Sequence, residues 1–486
     1  MQYESTRDSA VGVSSAQAIL TGLSPDGGLF VPKSIPQMDF SRLKGLSYPE
    51  VAFEVLRVFL TDYDEAFLRD ALAASYGAPF GGKVGQIVGL DEKLYCLELW
   101  HGPTAAFKDY ALQLMPKTLA EARKMLGETG ETIILVATSG DTGGAALAGY
   151  SDVPGIKIAV FYPNNGTSEL QRLQMTTQEG RNVAVYAVHG NFDDAQRGVK
   201  AAFTDKALAQ KLAQEHDAKL SSANSINWGR LVPQIVYYVT SYLHLWQQGT
   251  IAYGDEVDFC VPTGNFGDIM AGWYAKQMGL PIGRLICASN KNNVLADFLQ
   301  TGRYDSKRAF HKTSSPSMDI LVSSNLERLL YHATQSDAQT KEWMEQLAQN
   351  GSYTVDAATL AKINTTFTAG WAAEDEVFGE IRECFAQYRY LCDPHTAVAL
   401  QVYHKSYARD GVPTVVLSTA SPFKFAPQVL EALGQPVPQD EFAAIDALQA
   451  YSGAVVPPNL ANLSEKAERF TDVMDPETIV SIPLTL

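Results

Sequence analysis

Short apolar runs recur along the chain, each closing in a turn and followed by a stretch with helical spacing. Residues 132–150, TIILVATSGDTGGAALAGY, show a β-rich run, a glycine-rich loop and a helix of small residues. The scheme returns at 156–166, IKIAVFYPNNG, ahead of TSELQRLQMTTQEG, where Thr167 or Ser168 can cap a helix. It returns again at 182–203, 257–279, 284–302 and 414–434. Strands covered on both faces read as continuous apolar runs, so the pattern predicts an α/β architecture with mainly parallel sheets. Ligands in such folds bind beyond the carboxyl ends of the strands, which directs attention to the loops. Residues 1–95 are less regular and read as an added N-terminal domain. Two α/β domains are expected over 96–225 and 226–486, the second with a polar insertion near 303–365.

A chain of 486 residues suits about three domains. Hydrophobic content of 46% and charged content of 19% are those of an ordinary globular chain. A formal charge of −16 and the lack of a cationic run argue against a nucleic-acid partner. The uncharged stretch LVPQIVYYVTSYLHLWQQG, 231–249, is interrupted by Pro233, Gln234 and His244, and reads as a buried helix rather than a membrane span. MQYESTRDSAVGVSS carries Glu4 and Asp8 and no apolar core, so it does not read as a secretory signal. Five scattered cysteines without a C-x-x-C pair predict reduced thiols and a cytoplasmic setting. The eight histidines show no H-E-x-x-H spacing, so no dedicated metal site is expected.

Five loops carry candidate chemistry. HGPTAAFKDY, 101–110, sets Lys108 among small and apolar residues: either a helix start with a charged first turn, or a nucleophilic amine shielded from water. In PTGNFGDIM, 262–270, Gly264 and Gly267 let the backbone approach a phosphate at a helix start, or simply make a tight turn. Neither a Walker loop nor G-x-G-x-x-G occurs in the strand-to-helix turns. ATSGDTGG, 137–144, offers the hydroxyls of Thr138, Ser139 and Thr142 to a carboxylate. Asp141 within it would repel an anion unless it faces a cation; as a bland alternative it caps the helix. SANSINWGRL, 222–231, gathers Asn224, Ser225, Asn227 and Arg230, a fork suited to phosphate or a cap beside a surface arginine. STASPFK, 418–424, closes the last strand with Ser418, Thr419 and Ser421. Together a reactive lysine, a phosphate cradle, a donor loop and a neutral hydroxyl are the parts that a pyridoxal phosphate site needs.

Taken in order, YESTR, GLSPDGGLFVP, LELWHGPTAAFKD, TSGDTG, SANSIN, GNFGD, DPHTAVA and LSTASPFKF span residues 3–425. The chain closely resembles the threonine synthase family with an extended N-terminal domain, within the fold-type II pyridoxal-phosphate enzymes. HGPT-x-AFKD and SGDTG together carry most of the specificity. The resemblance implies two open, mainly parallel-sheet α/β domains of the tryptophan synthase β-like kind, with an added N-terminal domain. It implies that Lys108 carries pyridoxal 5'-phosphate and that Gly264, Asn265, Phe266, Gly267 and Asp268 hold its phosphate. Thr419 would face the pyridine nitrogen. Asp141, with Ser139 and Thr142, would line the cofactor hydroxyl and the substrate. Asn224, Ser225 and Arg230 would hold the substrate phosphate. Two positions depart from the family pattern, which often has histidine at Ser421 and glycine at Ser418. The reaction implied is conversion of O-phospho-L-homoserine and water to L-threonine and phosphate, the last step of threonine biosynthesis. A phospho-lyase releasing a keto acid, a serine or threonine dehydratase, and a silent binding protein of the same fold are the alternatives. The Asn224-to-Arg230 cluster counts against the dehydratase, and an intact Lys108 against the binding protein. His101 either orients the lysine loop or is structural, and the sequence leaves monomer and homodimer open.

Overall fold

The computed structural model describes residues 1–407, 409 and 411–486, with Ser406 lacking a described side chain. Two open sheets carry the architecture. The larger has six strands in the order Phe367–Trp371, Ile282–Ser289, Val257–Pro262, Thr414–Ser418, Leu94–Glu98 and Gln86–Gly89. Every pairing in it is parallel except that of Leu94–Glu98 with Gln86–Gly89. The second has five parallel strands, Val473–Met474, Val183–Val188, Ile156–Pro163, Glu131–Ala137 and Ala218–Ser221. The apolar runs form the centres of these sheets because both faces are covered by helices. Val257–Pro262 and Thr414–Ser418 are buried throughout, and Ile156–Pro163 is buried except at the half-buried Lys157.

Helices follow the strands as the pattern predicts: Asp141–Tyr150, Phe192–Thr204, Gly267–Gln277 and Val294–Thr301. Ser168, rather than Thr167, caps Glu169–Thr176, its hydroxyl accepting from Gln171 N at 3.2 Å. The 231–249 run becomes a 3₁₀ turn and the buried helix Ile235–Gln247. Among the described residues no helix is long and apolar enough to cross a membrane.

The linear divisions at 96–225 and 226–486 do not follow the sheets. Residues 96–98 belong to Leu94–Glu98, which pairs with Thr414–Ser418, and Val473–Met474 returns to pair with Val183–Val188. Parallel neighbours require crossovers, so strands from distant parts of the chain are exchanged between the two sheets. The N-terminal region holds a small antiparallel sheet (Asp8–Val13, Tyr3–Ser5, Phe30–Pro32) and the helices Ser15–Thr21, Tyr48–Leu56 and Glu65–Tyr76. It is pinned to the 222–231 loop. The Trp228 ring lies 5.4 Å from Tyr3 and 5.7 Å from Phe59, and Asn227 Nδ2 donates to Ile19 O at 2.9 Å. Aromatic pairs of this kind contribute about 0.5–1.5 kcal/mol each beyond their buried area. Residues 303–365 contain the paired strands Arg303–Asp305 and Ser352–Thr354 and three helices, but the stretch before Leu326–Thr334 is mostly irregular and reaches back to the strand ends.

Candidate active site

Lys108 opens the short helix Lys108–Leu112, and its side chain is 10% exposed. The turn before it explains the motif. Thr104 N and Oγ1 donate to the Asp109 carboxylate at 2.8 and 2.7 Å, folding 104–109 back on itself. A Cβ at Gly102 would lie 2.5 Å from Asp109 Oδ2, so only glycine fits. Ala105 adopts φ 55°, a left-handed conformation costing about 1–2 kcal/mol. It is held there by Ser421 N, which donates to Ala105 O at 3.1 Å. Phe107 N donates to Thr419 O at 2.8 Å, Leu99 N to Ser418 O at 2.9 Å, and Ala106 bridges Ala420. Loops from opposite ends of the chain are thereby zipped together, which brings Thr419 beside the lysine.

Asp141 is not the helix cap. Thr138 Oγ1 takes that part, accepting from Gly140 N and Gly143 N, both at 3.0 Å. Asp141 faces cations instead: Lys424 Nζ at 2.6 Å on Oδ1 and Lys108 Nζ at 3.5 Å on Oδ2. Gln171 Nε2 and Ser317 Oγ also donate to it, at 2.9 and 3.1 Å. Burial alone would raise the Asp141 carboxyl, but Lys424 and Lys108 outweigh it and hold the group well below the usual carboxylate range. Burial pushes the Lys108 amine down; Asp141 opposes this, while Lys424 and Arg230 push the same way as burial. The shielded amine therefore replaces the picture of a solvated lysine in a helix's first turn. Ser139 is exposed and Thr142 half-buried on the same turn, and neither hydroxyl is engaged among the described residues.

The glycine loop lies between Val257–Pro262 and the helix Gly267–Gln277. A Cβ at Gly264 would sit 3.0 Å from Ser317 O, so the backbones meet closely there. Phe266 turns the chain at φ 63°. That left-handed step leaves the N–H groups of Asn265, Phe266 and Gly267 without a partner among the described residues. Successive free N–H groups at a helix start form an anion cradle. The Asn265 side chain is exposed, while its backbone carbonyl accepts from Asn325 N and Nδ2 at 3.1 and 2.9 Å. Burial raises the Asp268 carboxyl to about 7, and its Oδ1 accepts from Ile269 N at 2.8 Å.

Arg230 is 5% exposed, and its Nη1 donates to Ala223 O at 2.8 Å. Its Nε and the buried Tyr150 hydroxyl have no hydrogen-bond partner among the described residues. A buried guanidinium in this condition suits an anionic ligand, and burial lowers it to about 10. The surface-arginine reading of Arg230 therefore fails. Asn224 is exposed and Ser225 half-buried, and neither side chain bonds to Arg230. At the other end Thr419 is buried, with only its carbonyl engaged among the described residues. The two departures have structural duties. Ser418 Oγ meets Trp100 Nε1, Thr396 Oγ1 and Tyr390 OH at 3.1, 3.1 and 3.2 Å, and Ser421 caps the 3₁₀ helix Pro422–Phe425. His101 Nε2 pairs with Glu98 Oε2 at 2.7 Å and lines a separate cavity of about 690 Å³.

Three residues at the centre escaped the sequence reading. Lys424 stands in the STASPFK loop, where a lysine beside Thr419 was a visible signal. Ser317, 3.2 Å from Lys108 Nζ, comes from the polar 303–365 stretch and offers none. His395 accepts from Ser317 N at 3.3 Å while its Nδ1 bonds Asp393 Oδ2 at 2.6 Å, so it supports that stretch from behind.

The shielded amine, the cradle of unpartnered N–H groups crowded at Gly264 and the unengaged Thr419 hydroxyl fit pyridoxal phosphate. Fold and site together define a pyridoxal-phosphate-dependent enzyme on two mainly parallel sheets. Residues 2–76 match the threonine synthase N terminus, 83–366 the pyridoxal-phosphate dependent enzyme family, and 396–482 the threonine synthase C-terminal family. The chain belongs to the threonine synthase family. It is 37% identical to a threonine synthase of Pseudomonas aeruginosa, with 97% of this chain and 95% of that one covered. It is 41% identical to threonine synthase-like 1 of Homo sapiens over 86% of this chain, and spans 58% of that relative's length. A solved PLP-bound threonine synthase from Brucella melitensis superposes with a TM-score of 0.89 at 38% identity, covering 100% of this chain and 98% of that one.

Proposed function

We propose that the protein is a threonine synthase that converts O-phospho-L-homoserine and water to L-threonine and phosphate in the cytoplasm. One observation carries the reading: backbone N–H groups at Asn265–Gly267, unpartnered among the described residues, and a buried guanidinium at Arg230 both stand near one buried lysine. The backbone cradle at Gly264–Asp268 suits the cofactor phosphate, which leaves the buried Arg230 guanidinium, with Nε unpartnered among the described residues, for a substrate phosphate. An enzyme acting on unphosphorylated serine or threonine has no use for the second site. The five cysteines are buried and unpaired, which supports a reducing compartment.

The reaction removes protons at Cα and Cβ, loses phosphate from Cγ, returns protons to Cγ and Cα, and adds the hydroxyl of water at Cβ, with the proton of water leaving on phosphate. Pyridoxal phosphate, when bound, supplies the electron sink that makes the Cα proton removable. Lys108 is assigned its covalent attachment. Lys108 Nζ, a desolvated amine of lowered basicity, is also the group suited to move protons at Cα and Cβ. The Thr419 hydroxyl serves the pyridine nitrogen as a neutral partner, and Asp141 orients Lys108 Nζ. Ser139 and Thr142, at a helix start, offer donors to the substrate carboxylate. Arg230, with Asn224 and Ser225, holds the departing phosphate, where donors placed in advance stabilise developing charge.

A second reading keeps the same site and substrate. The threonine synthase-like 1 relatives, at 41% identity, favour testing a phospho-lyase that releases a keto acid. Phosphate release from O-phosphohomoserine, followed by analysis of the organic product, separates the two. Threonine in equal amount to phosphate is expected. Keto acid with ammonia would establish the lyase, and no phosphate release would defeat both.

A further inference from the structure

Two amines share one carboxylate at the centre of the site. Lys424 Nζ donates to Asp141 Oδ1 at 2.6 Å and to Thr104 O at 3.0 Å, and its side chain is fully buried. Lys108 Nζ lies on the other oxygen, at 3.5 Å, with Ser317 Oγ 3.2 Å away. A single buried carboxylate compensates one cation well, and a second positive charge in the same enclosure is left over. Lys424 has the shorter contact and a second fixed acceptor. Lys108 has a longer contact, and Ser317 Oγ, whose proton goes to Asp141 Oδ2, accepts an N–H that a neutral amine supplies as well as an ammonium.

We propose that Lys424 is a positioning residue: its contacts with Asp141 Oδ1 and Thr104 O give that carboxylate its own ammonium partner, and Lys108 is left as the amine that is free of its proton. The inference rests on reading Lys108 as the amine that takes the cofactor. A neutral amine is required there, because only the unprotonated nitrogen has a lone pair to offer. Lys424 also ties the carbonyl of Thr104, in the lysine loop, to the carboxylate of the donor loop, so one ammonium fixes both walls. Once the Lys108 nitrogen is engaged, Asp141 still has a charged partner and is not left buried alone.

The neighbouring groups do not remove the need for Lys424. Arg230 acts on Lys108 in the same direction as Lys424, and Asp268 faces Lys108. Asp109 faces Lys424, and His395 faces Asp141. Burial raises Asp268 to about 7, which weakens it as a counterion near neutral pH, and Asp109, raised to about 6, accepts from Thr104 N and Oγ1 rather than from either lysine.

The sign follows. A neutral residue at 424 removes a charge that lowers Lys108 and leaves Asp141 to pair with Lys108 alone, so the amine becomes more basic. The test uses the full chain stripped of cofactor and follows the growth of visible absorption on adding pyridoxal phosphate across a pH series. Lys424→Met is expected to shift the midpoint of the capture rate alkaline by about one unit, roughly tenfold slower capture at neutral pH. Lys424→Arg keeps the charge and should keep the midpoint, whatever its absolute rate. Should Lys424→Met not fold, the comparison moves to Asp141→Asn with and without Lys424→Gln, where the double variant should have the higher midpoint. An unchanged midpoint in whichever comparison is made overturns the proposal. Lys108→Ala is the control: visible absorption gained by that variant would instead overturn the reading of Lys108.

Discussion

The two ends of the site hold charge away from water with different materials. At Gly264–Asp268 the donors are backbone N–H groups, set by the left-handed Phe266 and the close approach of Gly264 to Ser317 O. At Lys108 the work falls to side chains from four segments, Lys108, Asp141, Ser317 and Lys424, none of them exposed. A backbone site is fixed by conformation, so it should be sensitive to an added Cβ and indifferent to an exposed side chain. A side-chain site is fixed by its count of charges, so it should be sensitive to any change in that count. Arg230 belongs with the second kind, and its proposed assignment to substrate rests on the first site having no need of it.

The sharpest way to break this comparison lies in the glycine loop. Gly264→Val places a branched side chain where Cβ alone would be 3.0 Å from a carbonyl oxygen. Overpacking of this kind costs about 1–3 kcal/mol, so cofactor affinity should fall by roughly tenfold to a hundredfold in a fluorescence titration. Asn265→Ala removes an exposed side chain and leaves the N–H groups in place, and its affinity should stay within about twofold, since exposed substitutions cost little. Equal losses in the two variants would mean that side chains, not backbone, make the cradle.

Arg230→Ala comes next. A charge-assisted hydrogen bond contributes about 1.5–3 kcal/mol, so kcat/KM for O-phosphohomoserine should drop at least about tenfold while cofactor affinity is kept. A fall in kcat would show that the fork tightens as phosphate departs, and a rise in KM alone that it anchors the ground state. Cofactor loss like that of Gly264→Val would assign Arg230 to the wrong phosphate.

The smallest effect concerns pH. Asp268, raised to about 7 by burial, is neutral below that value and ionised above it. An ionised carboxylate beside a phosphate dianion repels it, so cofactor affinity should decline a few-fold as pH rises through about 7. Because the folded value lies above the unfolded one, the same group lowers folding stability as pH rises from about 4 to about 7. Asp268→Asn should flatten that part of the affinity profile. A profile with the parent's slope would contradict a carboxyl-controlled cradle.

What was legible in the sequence follows the same division. A backbone site announces itself, because glycines at fixed offsets behind a buried strand have few other uses, and the loops at 137–144 and 262–270 lie where the pattern puts them. The strand-helix units were equally visible, since both faces of each strand demand apolar residues. Leu94–Glu98 and Phe367–Trp371 escape the pattern, because Leu94–Glu98 runs into an irregular turn and Phe367–Trp371 alternates buried with half-buried positions and ends exposed. The side-chain site was half legible. Lys108 sits in a dense motif, but Ser317 arrives from a polar segment, and its position depends on the Asp393–His395 pair behind it. Asp141 was readable as a misfit, an acid in an anion-binding loop, but the lysines that resolve the misfit meet only in the folded chain.

The direct test of the central claim is chemical. Holoprotein reduced with borohydride and digested for peptide mass mapping should carry its pyridoxyl adduct on Lys108, with Lys424 unmodified. An adduct on Lys424, only 2.6 Å from the other oxygen of the shared Asp141, or on any other lysine, would contradict the account of which amine is charged and which is reactive.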